Sequence, residues 1–289
     1  MNGNNSMMMI AVRALAVLGV LFAVVAGANA FAAEEAGKEP THFPIKEPER
    51  QSWSFAGFLG RYDQGQLQRG FQIYKEVCGA CHGLKLVAFR NLAQPGGPGF
   101  TEAQAKAIAA EYEFPTGKTD DDDEPIMRPG KLFDHFPTPA FDAEGGSPPD
   151  LSLIAKARHV SSGFPGFLLD IFTQYQEGGP DYIYSLLTGY QEAPEGVKVD
   201  EGLHYNPHFI AGKALAMAPP LSDGRVDYTD GTEGTLKNYS RDVTAFLMWT
   251  AEPHLDARKR IGLQVMIFLI VFATLMWFVK RRIWAKVEH

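Results

Sequence analysis

Two cysteines and a histidine lie close together in the chain, at Cys78, Cys81 and His82. Their spacing, C-x-x-C-H, is the attachment pattern for c-type haem. Two thiols separated by two residues can add to the two vinyl groups along one edge of a porphyrin. The residue that follows then lies under the ring, where its imidazole can bind the iron. The pattern therefore predicts one covalently bound haem c, with His82 as the proximal iron ligand.

The same short pattern also occurs in thioredoxin-like redox pairs and in zinc sites. A redox pair of that kind needs a βαβ context, which the sequence does not indicate. A four-ligand zinc site needs more cysteines or well-spaced histidines, and this chain has only two cysteines. In an exported protein an unmodified pair would be oxidised to a disulfide. We therefore expect haem at this site.

The second axial ligand decides whether the iron carries electrons or binds small molecules, because a thioether blocks the sixth position and raises the reduction potential. Met217 is the favoured candidate, since Pro219 and Pro220 keep its apolar segment out of a helix. Met127 stays open as an alternative, and Met248 suits core packing. Histidine is the competing ligand class: His204 and His208 are four apart near Met217, but Pro207 breaks the helix that would align them, which argues against a paired site. For the remaining histidines we expect ordinary surface or hydrogen-bonded roles: His42, His135, His159 and His254.

Charge is distributed unevenly along the chain. Residues 34–257 carry 19 basic and 33 acidic side chains, whereas residues 258–289 carry seven basic and one acidic. An acidic domain does not suit nucleic acid, whose phosphates need cations. It suits a basic protein partner, and salt should slow their encounter. The acidic run at residues 120–124 is expected to be a solvated loop.

Two apolar runs predict export and membrane attachment. Residues 14–26 have the length of a signal-peptide core and small residues follow, so residues 1–32 are predicted to be a signal peptide; an uncleaved anchor is the alternative. Residues 261–279 form an uncharged run with basic clusters on both sides, which predicts a transmembrane helix within an anchor at residues 258–289. If residues 33–257 are exported, the short C-terminus lies inside the cell.

The sequence between the two apolar runs predicts a mainly α domain. Asp63 is placed to cap a helix that runs to about Val77, with Gln66 at the capping-box position and an apolar stripe on one side. Gly70 should allow this helix to approach Phe246 closely, on a second helix. Residues 101–113, 151–158 and 238–251 also have helical patterns, the first of them with an exposed character.

The ordered set of motifs around these residues resembles cytochrome c1 of bacterial quinol–cytochrome c oxidoreductase (bc1) complexes. The similarity extends from about Ser54 to Trp284, most of the mature chain. It is carried by residues 67–82, 89–92, 127–132, 148–152, 156–159, 181–190, 202–207, 217–220 and 242–253. Because many motifs occur in the right order, the resemblance is far more specific than C-x-x-C-H alone.

The resemblance implies a mainly α c-type cytochrome domain with long loops and insertions, plus one C-terminal transmembrane helix. It implies thioether bonds at Cys78 and Cys81 and axial bonds from His82 and Met217. It further implies that Arg158 pairs with a haem propionate and that Tyr182 and the pair Pro148 and Pro149 line the haem pocket.

As a function, the resemblance implies electron transfer without bond chemistry, so that the chain is not catalytic alone. An electron would come from a Rieske iron–sulfur protein and pass to a soluble or membrane-bound cytochrome c, beside a cytochrome b subunit. The domain would lie in the periplasm, on the bacterial inner membrane. Alternatives are a place in another respiratory complex, a haem sensor with an open iron, or a catalytic haem such as a peroxidase.

Two features depart from the family pattern. Residues 160–180 form a stretch that mitochondrial-like members lack, although bacterial relatives often carry an insertion there. Some bacterial relatives also brace the loop near the axial methionine with an extra disulfide. This chain has no spare cysteine, so Met217 must be held by packing alone.

Overall fold

The computed structural model describes residues 45–285, except residues 121, 141–146, 161–162 and 174. The predicted signal peptide lies outside the described residues. The described α-helices are α1 (Gln64–Glu76), α2 (Glu102–Ala110), α3 (Ile154–Ala157), α4 (Gly163–Thr173), α5 (Gly178–Thr188), α6 (Leu236–Ala251) and α7 (Leu255–Trp284). Short 3-10 helices span Cys78–Ala80 and Phe89–Ala93. Helices thus dominate the described fold, which confirms the predicted fold class.

The described strands form two small antiparallel pairs. Strand β1 (Glu113–Thr119) pairs with β2 (Pro125–Pro129), and β3 (His204–Tyr205) pairs with β4 (Ala214–Leu215). The acidic run connects β1 to β2, and its described residues are exposed, as predicted for a solvated loop. One carboxylate oxygen of Asp120 accepts hydrogen bonds from the backbone nitrogens of Asp122 and Glu124. The Asp120 side chain thus stabilises the conformation of the loop.

Helix α1 begins where its cap predicts. A carboxylate oxygen of Asp63 accepts a hydrogen bond from the backbone nitrogen of Gln66 at 2.7 Å, which satisfies a free N–H of the first turn. The side chain of Gln66 does not complete the capping box: it donates to a carboxylate oxygen of Asp242 at 3.1 Å. Leu67 and Phe71 from the predicted stripe are buried, so this face of the helix forms part of the core.

Helices α1 and α6 cross at Gly70, as the sequence predicts. A Cβ atom on Gly70 would lie 2.1 Å from the carbonyl oxygen of Asp242 and 2.6 Å from the Cβ atom of Phe246. Only hydrogen fits there. Phe71 and Tyr74 pack on Phe246, with ring centroids 5.7 and 5.9 Å apart. The crossing builds the core directly before Cys78.

We expect Gly70→Ala to destabilise the domain by about 3 kcal/mol, the upper end of the usual cost of overpacking, because the added methyl group meets backbone atoms. Gly65→Ala in the same helix is the matched control, since its Cβ atom would lie 3.4 Å from the nearest atom, a carboxylate oxygen of Asp63. We expect that control to be neutral or to gain about 0.5 kcal/mol. Guanidinium unfolding in detergent measures both; equal stability of the two variants would refute the close crossing.

A buried carboxylate on α6 fastens the chain that follows the predicted axial methionine. Asp242 is 3% exposed and accepts from Nε of Arg69 at 2.7 Å and from the hydroxyl of Tyr228 at 2.8 Å. Arg69 also pairs with Asp230 at 2.8 Å. Paired in this way, the buried charge is compensated. The network holds residues 228–230 against the crossing of α1 and α6.

Other helices differ from the sequence-based expectation in detail. Helix α2 starts with a complete capping box between Thr101 and Gln104 and ends at Ala110, three residues earlier than predicted. It is mostly exposed, as expected, but Ala105 and Ala109 are fully buried because their small side chains permit close packing. Helix α3 covers only the second half of the predicted residues 151–158. Helices α4 and α5 were not predicted.

Helix α7 contains the predicted membrane span. By length and composition it is apolar enough to cross a membrane, and the apolar side chains of the span are exposed. At its base, the ammonium group of Lys259 donates to the carbonyl oxygens of Phe55 and Gly57, each at 2.5 Å. These bonds attach the first turns of α7 to the segment that precedes α1.

Candidate functional site

The Cys78–His82 turn follows helix α1 after a single residue. Its backbone is closed by hydrogen bonds from the nitrogens of Cys81 and His82 to the carbonyl oxygen of Cys78, at 3.2 and 2.9 Å. The hydroxyl of Tyr74 donates to the carbonyl oxygen of His82 at 3.0 Å. No disulfide joins Cys78 and Cys81. The core helix therefore fixes a tight turn that presents two thiols and an imidazole.

The chemistry of Cys78 bears on the alternatives for this motif. Burial raises the pKa of its thiol to about 12, and the neighbouring Cys81 adds to the rise. A thioredoxin-like pair works the other way, because its attacking thiol has a lowered pKa. The raised pKa of Cys78 is therefore opposite in direction to the shift found in a redox-active pair.

His82 is oriented by a backbone carbonyl. Its Nδ1 lies 2.7 Å from the carbonyl oxygen of Pro149. A carbonyl oxygen can only accept, so Nδ1 carries the hydrogen and Nε2 keeps its lone pair. This is the usual arrangement of a metal-binding histidine, in which an outer partner fixes the tautomer and the ring orientation. His82 is thus prepared to bind a metal through Nε2.

The carbonyl of Pro149 is itself held in place. The backbone nitrogen of Leu151 donates to the carbonyl oxygen of Gly83 at 2.9 Å. The backbone nitrogen of Lys85 donates to a carboxylate oxygen of Asp150, also at 2.9 Å. These bonds pair the residues after His82 with the residues after Pro149, so the position of the imidazole is set by two chain segments.

Met217 follows strand β4 and is half-buried. Its carbonyl oxygen accepts a hydrogen bond from the hydroxyl of Tyr190 at 3.1 Å. The alternative Met127 lies on β2 and is 46% exposed, whereas Met248 lies on α6 and is 2% exposed within the core. The carbonyl oxygen of Met248 also accepts from a tyrosine, Tyr62 at 3.2 Å, but inside the core. Met217 is the one of the three whose backbone contacts Tyr190, a half-buried tyrosine that lies within electrostatic reach of Tyr182.

Tyr182 and Arg158 lie near each other on neighbouring elements. Tyr182 is on α5 and is 3% exposed; burial raises the pKa of its phenol, and the positive charge of Arg158 partly offsets that rise. Burial also raises the pKa of Tyr190, with Tyr182 contributing. Tyr190 thus contacts Met217 and lies within electrostatic reach of Tyr182, which in turn lies within reach of Arg158. His82 contacts Pro149.

Two tyrosines that contact the candidate site were not identified as site residues from the sequence. Tyr190 contacts the backbone of Met217, and Tyr74 contacts the backbone of His82. Tyr74 was noted only as part of an apolar stripe and Tyr190 only as the end of a motif. A tyrosine in an apolar position is the available signal, because its buried hydroxyl needs a partner.

The histidines around Met217 have structural contacts. His208 is 5% exposed and its Nδ1 lies 2.9 Å from the carbonyl oxygen of Lys46; burial lowers its pKa. His204 lies in β3, opposite Leu215. Within the described residues, no three side chains of His, Cys, Asp or Glu converge to hold a metal ion.

A tight C-x-x-C-H turn with an oriented histidine, in a mainly helical domain, has the arrangement of a c-type cytochrome. The model of the cytochrome C1 family matches residues 53–287. The chain therefore belongs to the cytochrome c1 family.

Curated relatives agree. A cytochrome b/c1 of Bradyrhizobium diazoefficiens is 53% identical over 247 residues, 83% of this chain and 36% of that longer protein. Cytochrome c1 of Blastochloris viridis is 46% identical, over 83% of this chain and 88% of the relative. Cytochrome c1 of Rhodospirillum rubrum is 44% identical, with the same two coverages.

Proposed function

We propose that this chain is the haem-carrying electron-transfer subunit of a respiratory bc1 complex. It would accept an electron from the Rieske iron–sulfur protein, beside the cytochrome b subunit, and pass it to a soluble or membrane-bound cytochrome c. Family membership supports the assignment. The single observation that carries it is the hydrogen bond from Nδ1 of His82 to Pro149, because it leaves Nε2 available for iron.

The residues present fit one haem c. Cys78 and Cys81 would hold it through thioether bonds, and His82 and Met217 would provide the axial ligands. When bound, the haem supplies a one-electron redox centre with no open coordination position. The polypeptide's part is to hold both ligands still: the Pro149 carbonyl orients the imidazole, and Tyr190 holds the backbone of Met217.

Further residues would shape the pocket. Arg158 is exposed at the end of α3 in the polypeptide, where its guanidinium is available to pair with a haem propionate. Tyr182 and Pro149 would line the pocket, and Tyr182 lies within electrostatic reach of Arg158.

Attachment to the membrane would come from α7. We propose that residues 33–257 lie in the periplasm of a bacterial cell, that the span at about residues 261–279 crosses the inner membrane, and that a short C-terminus lies in the cytoplasm. Residues 1–32 would direct export as a signal peptide. The length and composition of α7 support the membrane span. The basic clusters on its two sides are nearly balanced, so the proposed orientation rests on the signal peptide.

We expect Tyr190→Phe to weaken the hold on Met217 without removing the thioether. Loss of one hydrogen bond costs about 1 kcal/mol. The reduced protein should therefore bind carbon monoxide measurably faster, and its reduction potential should fall slightly. Tyr184→Phe is the control, since that ring packs edge-on against Trp53. Identical carbon monoxide kinetics in the Tyr190→Phe variant and the native protein would show that Tyr190 does not position the ligand.

Purification of the intact complex from membranes tests the proposed function. We expect one haem-staining chain of this mass to co-purify with a cytochrome b and a Rieske protein, in a complex that reduces cytochrome c with quinol. Co-purification with oxidase subunits would place the chain in another respiratory complex. Rapid carbon monoxide binding by the native reduced protein would indicate an open-iron sensor or a catalytic haem.

A further inference from the structure

Helix α4, within the stretch that departs from the family pattern, exposes its apolar side chains. A surface helix normally turns such a stripe towards the core. In α4 the exposed fractions are 64% for Leu169 and 84% for Phe172, and Phe167 and Leu168 are also exposed. Phe164, whose extended backbone kinks the start of the element, is 83% exposed. Contiguous exposed apolar surface of this kind marks an interaction site with a membrane or a protein.

The polar contacts of α4 face the domain instead. Asp170 pairs with Arg50 at 3.0 Å, and the guanidinium of Arg50 lies 4.0 Å from the ring centroid of Tyr175, just beyond the helix. The hydroxyl of Tyr175 donates to a carboxylate oxygen of the buried Asp181 at 2.5 Å. The helix is therefore attached through Asp170, and the chain directly after it through Tyr175, with the apolar side chains of the helix turned outwards.

The anchoring residues lead directly to the base of the membrane helix. Asp181 also accepts from Nε1 of Trp53 at 2.8 Å, and Trp53 stacks on Phe55 with ring centroids 5.4 Å apart. The carbonyl oxygen of Phe55 accepts from Lys259 of α7 at 2.5 Å. A short chain of contacts thus joins α4 to the first turns of the membrane helix.

Two more observations concern residues near Lys259. Glu177, four residues after the end of α4, interacts electrostatically with Lys259. Phe58 and Leu59, directly after the Gly57 carbonyl that binds Lys259, are 48% and 72% exposed. Lys259 belongs to the basic cluster that precedes the span, and such clusters lie at the headgroup level.

We propose that α4 is an interfacial helix whose phenylalanine and leucine side chains insert into the headgroup region of the bilayer that α7 crosses. The proposal rests on the proposed membrane anchor, since continuity with α7 is what selects lipid as the occupant. The one charged residue of α4, Asp170, is already paired with Arg50. Insertion is therefore driven by apolar burial and should not require anionic lipid.

Nitroxide labels on single introduced cysteines test this proposal, because Cys78 and Cys81 would be consumed by haem. The variants are Leu168→Cys and Phe172→Cys on α4, Leu269→Cys within the span, and Lys118→Cys on the exposed β1 strand as a control. Each haem-loaded protein is purified from membranes and reconstituted into phosphatidylcholine vesicles. Collisions of the label with oxygen and with a water-soluble nickel complex are then measured.

We expect the α4 labels to be several-fold less accessible to nickel than the label in the Lys118→Cys variant, while staying accessible to oxygen. Added phosphatidylglycerol should change this little. Equal nickel accessibility in α4 and β1, with a protected label in the span, overturns the interfacial helix and leaves the anchor standing. An α4 label shielded from both reagents would show that a protein subunit covers the helix, which also overturns the proposal. A nickel-accessible label in the Leu269→Cys variant refutes both proposals.

Discussion

Replacing Cys78 and Cys81 together by serine is expected to abolish covalently bound haem. These are the only cysteines of the chain, so no other thiol can form a thioether. Without the haem, the half-buried Cys78 and the Met217 segment would lose the surface on which they would pack, so the mature chain should accumulate poorly. Haem staining after denaturing electrophoresis, beside an immunoblot of the chain, measures both effects.

Ala80→Ser is the matched control for this variant. Ala80 lies between the two cysteines, is exposed, and leaves the C-x-x-C-H pattern intact when changed. We expect native haem staining and native abundance. Haem that stays attached through denaturation in the double-serine variant would contradict the proposed attachment.

Met217→Leu should lower the reduction potential and open the iron to ligands, with the haem still covalently attached. Leucine keeps the apolar volume but removes the thioether that favours reduced iron. Axial ligands set haem reduction potentials over a range of about 0.8 V. We expect the reduction potential of the Met217→Leu variant to fall by a substantial fraction of that range. The reduced variant should bind carbon monoxide readily. Potentiometric titration and carbon monoxide difference spectra measure these changes.

Met127→Leu makes the same chemical change on the exposed β2 strand and should leave the potential and the carbon monoxide spectrum unchanged. Met248→Leu, inside the core, should affect stability alone. A native potential in the Met217→Leu variant would mean that another side chain ligates the iron. If the Met127→Leu variant instead had a lower reduction potential, Met127 would be the axial ligand.

Local signals made the core helices predictable. Helix α1 has a side-chain cap at Asp63 and an apolar stripe of the helical period, and both lie within a few residues of one another. Gly70 in that stripe indicated a close crossing, because a helix interior tolerates glycine poorly without a packing reason. The crossing with Phe246 is present as expected.

Helix α5 was missed because its first turn consists of residues that usually end helices. Gly178, Gly179 and Pro180 open it. The reason is tertiary: a Cβ atom on Gly179 would lie 1.7 Å from the carbonyl oxygen of Ala155 in α3, so only glycine fits there. Proline is tolerated in a first turn because the nitrogens there lack helical partners anyway. A single sequence does not show such a contact.

The candidate site also has one part that the sequence predicts and another that it does not. Cys78, Cys81 and His82 follow from spacing alone, since they are neighbours in the chain. The contact from His82 to Pro149 joins residues 67 positions apart, and that from Tyr190 to Met217 joins residues 27 apart. No local periodicity encodes these pairs. The outward apolar face of α4 could not be foreseen either, because it depends on Arg50 and Asp181, which lie outside the helix.

Mass spectrometry of peptides from the native chain, purified from membranes, tests the central claim most directly. The peptide that contains Cys78, Cys81 and His82 should carry the mass of one haem, with neither thiol open to alkylation. Finding the same peptide with two alkylatable thiols, or with a disulfide between them, would contradict the account of this protein as a haem-carrying electron-transfer subunit.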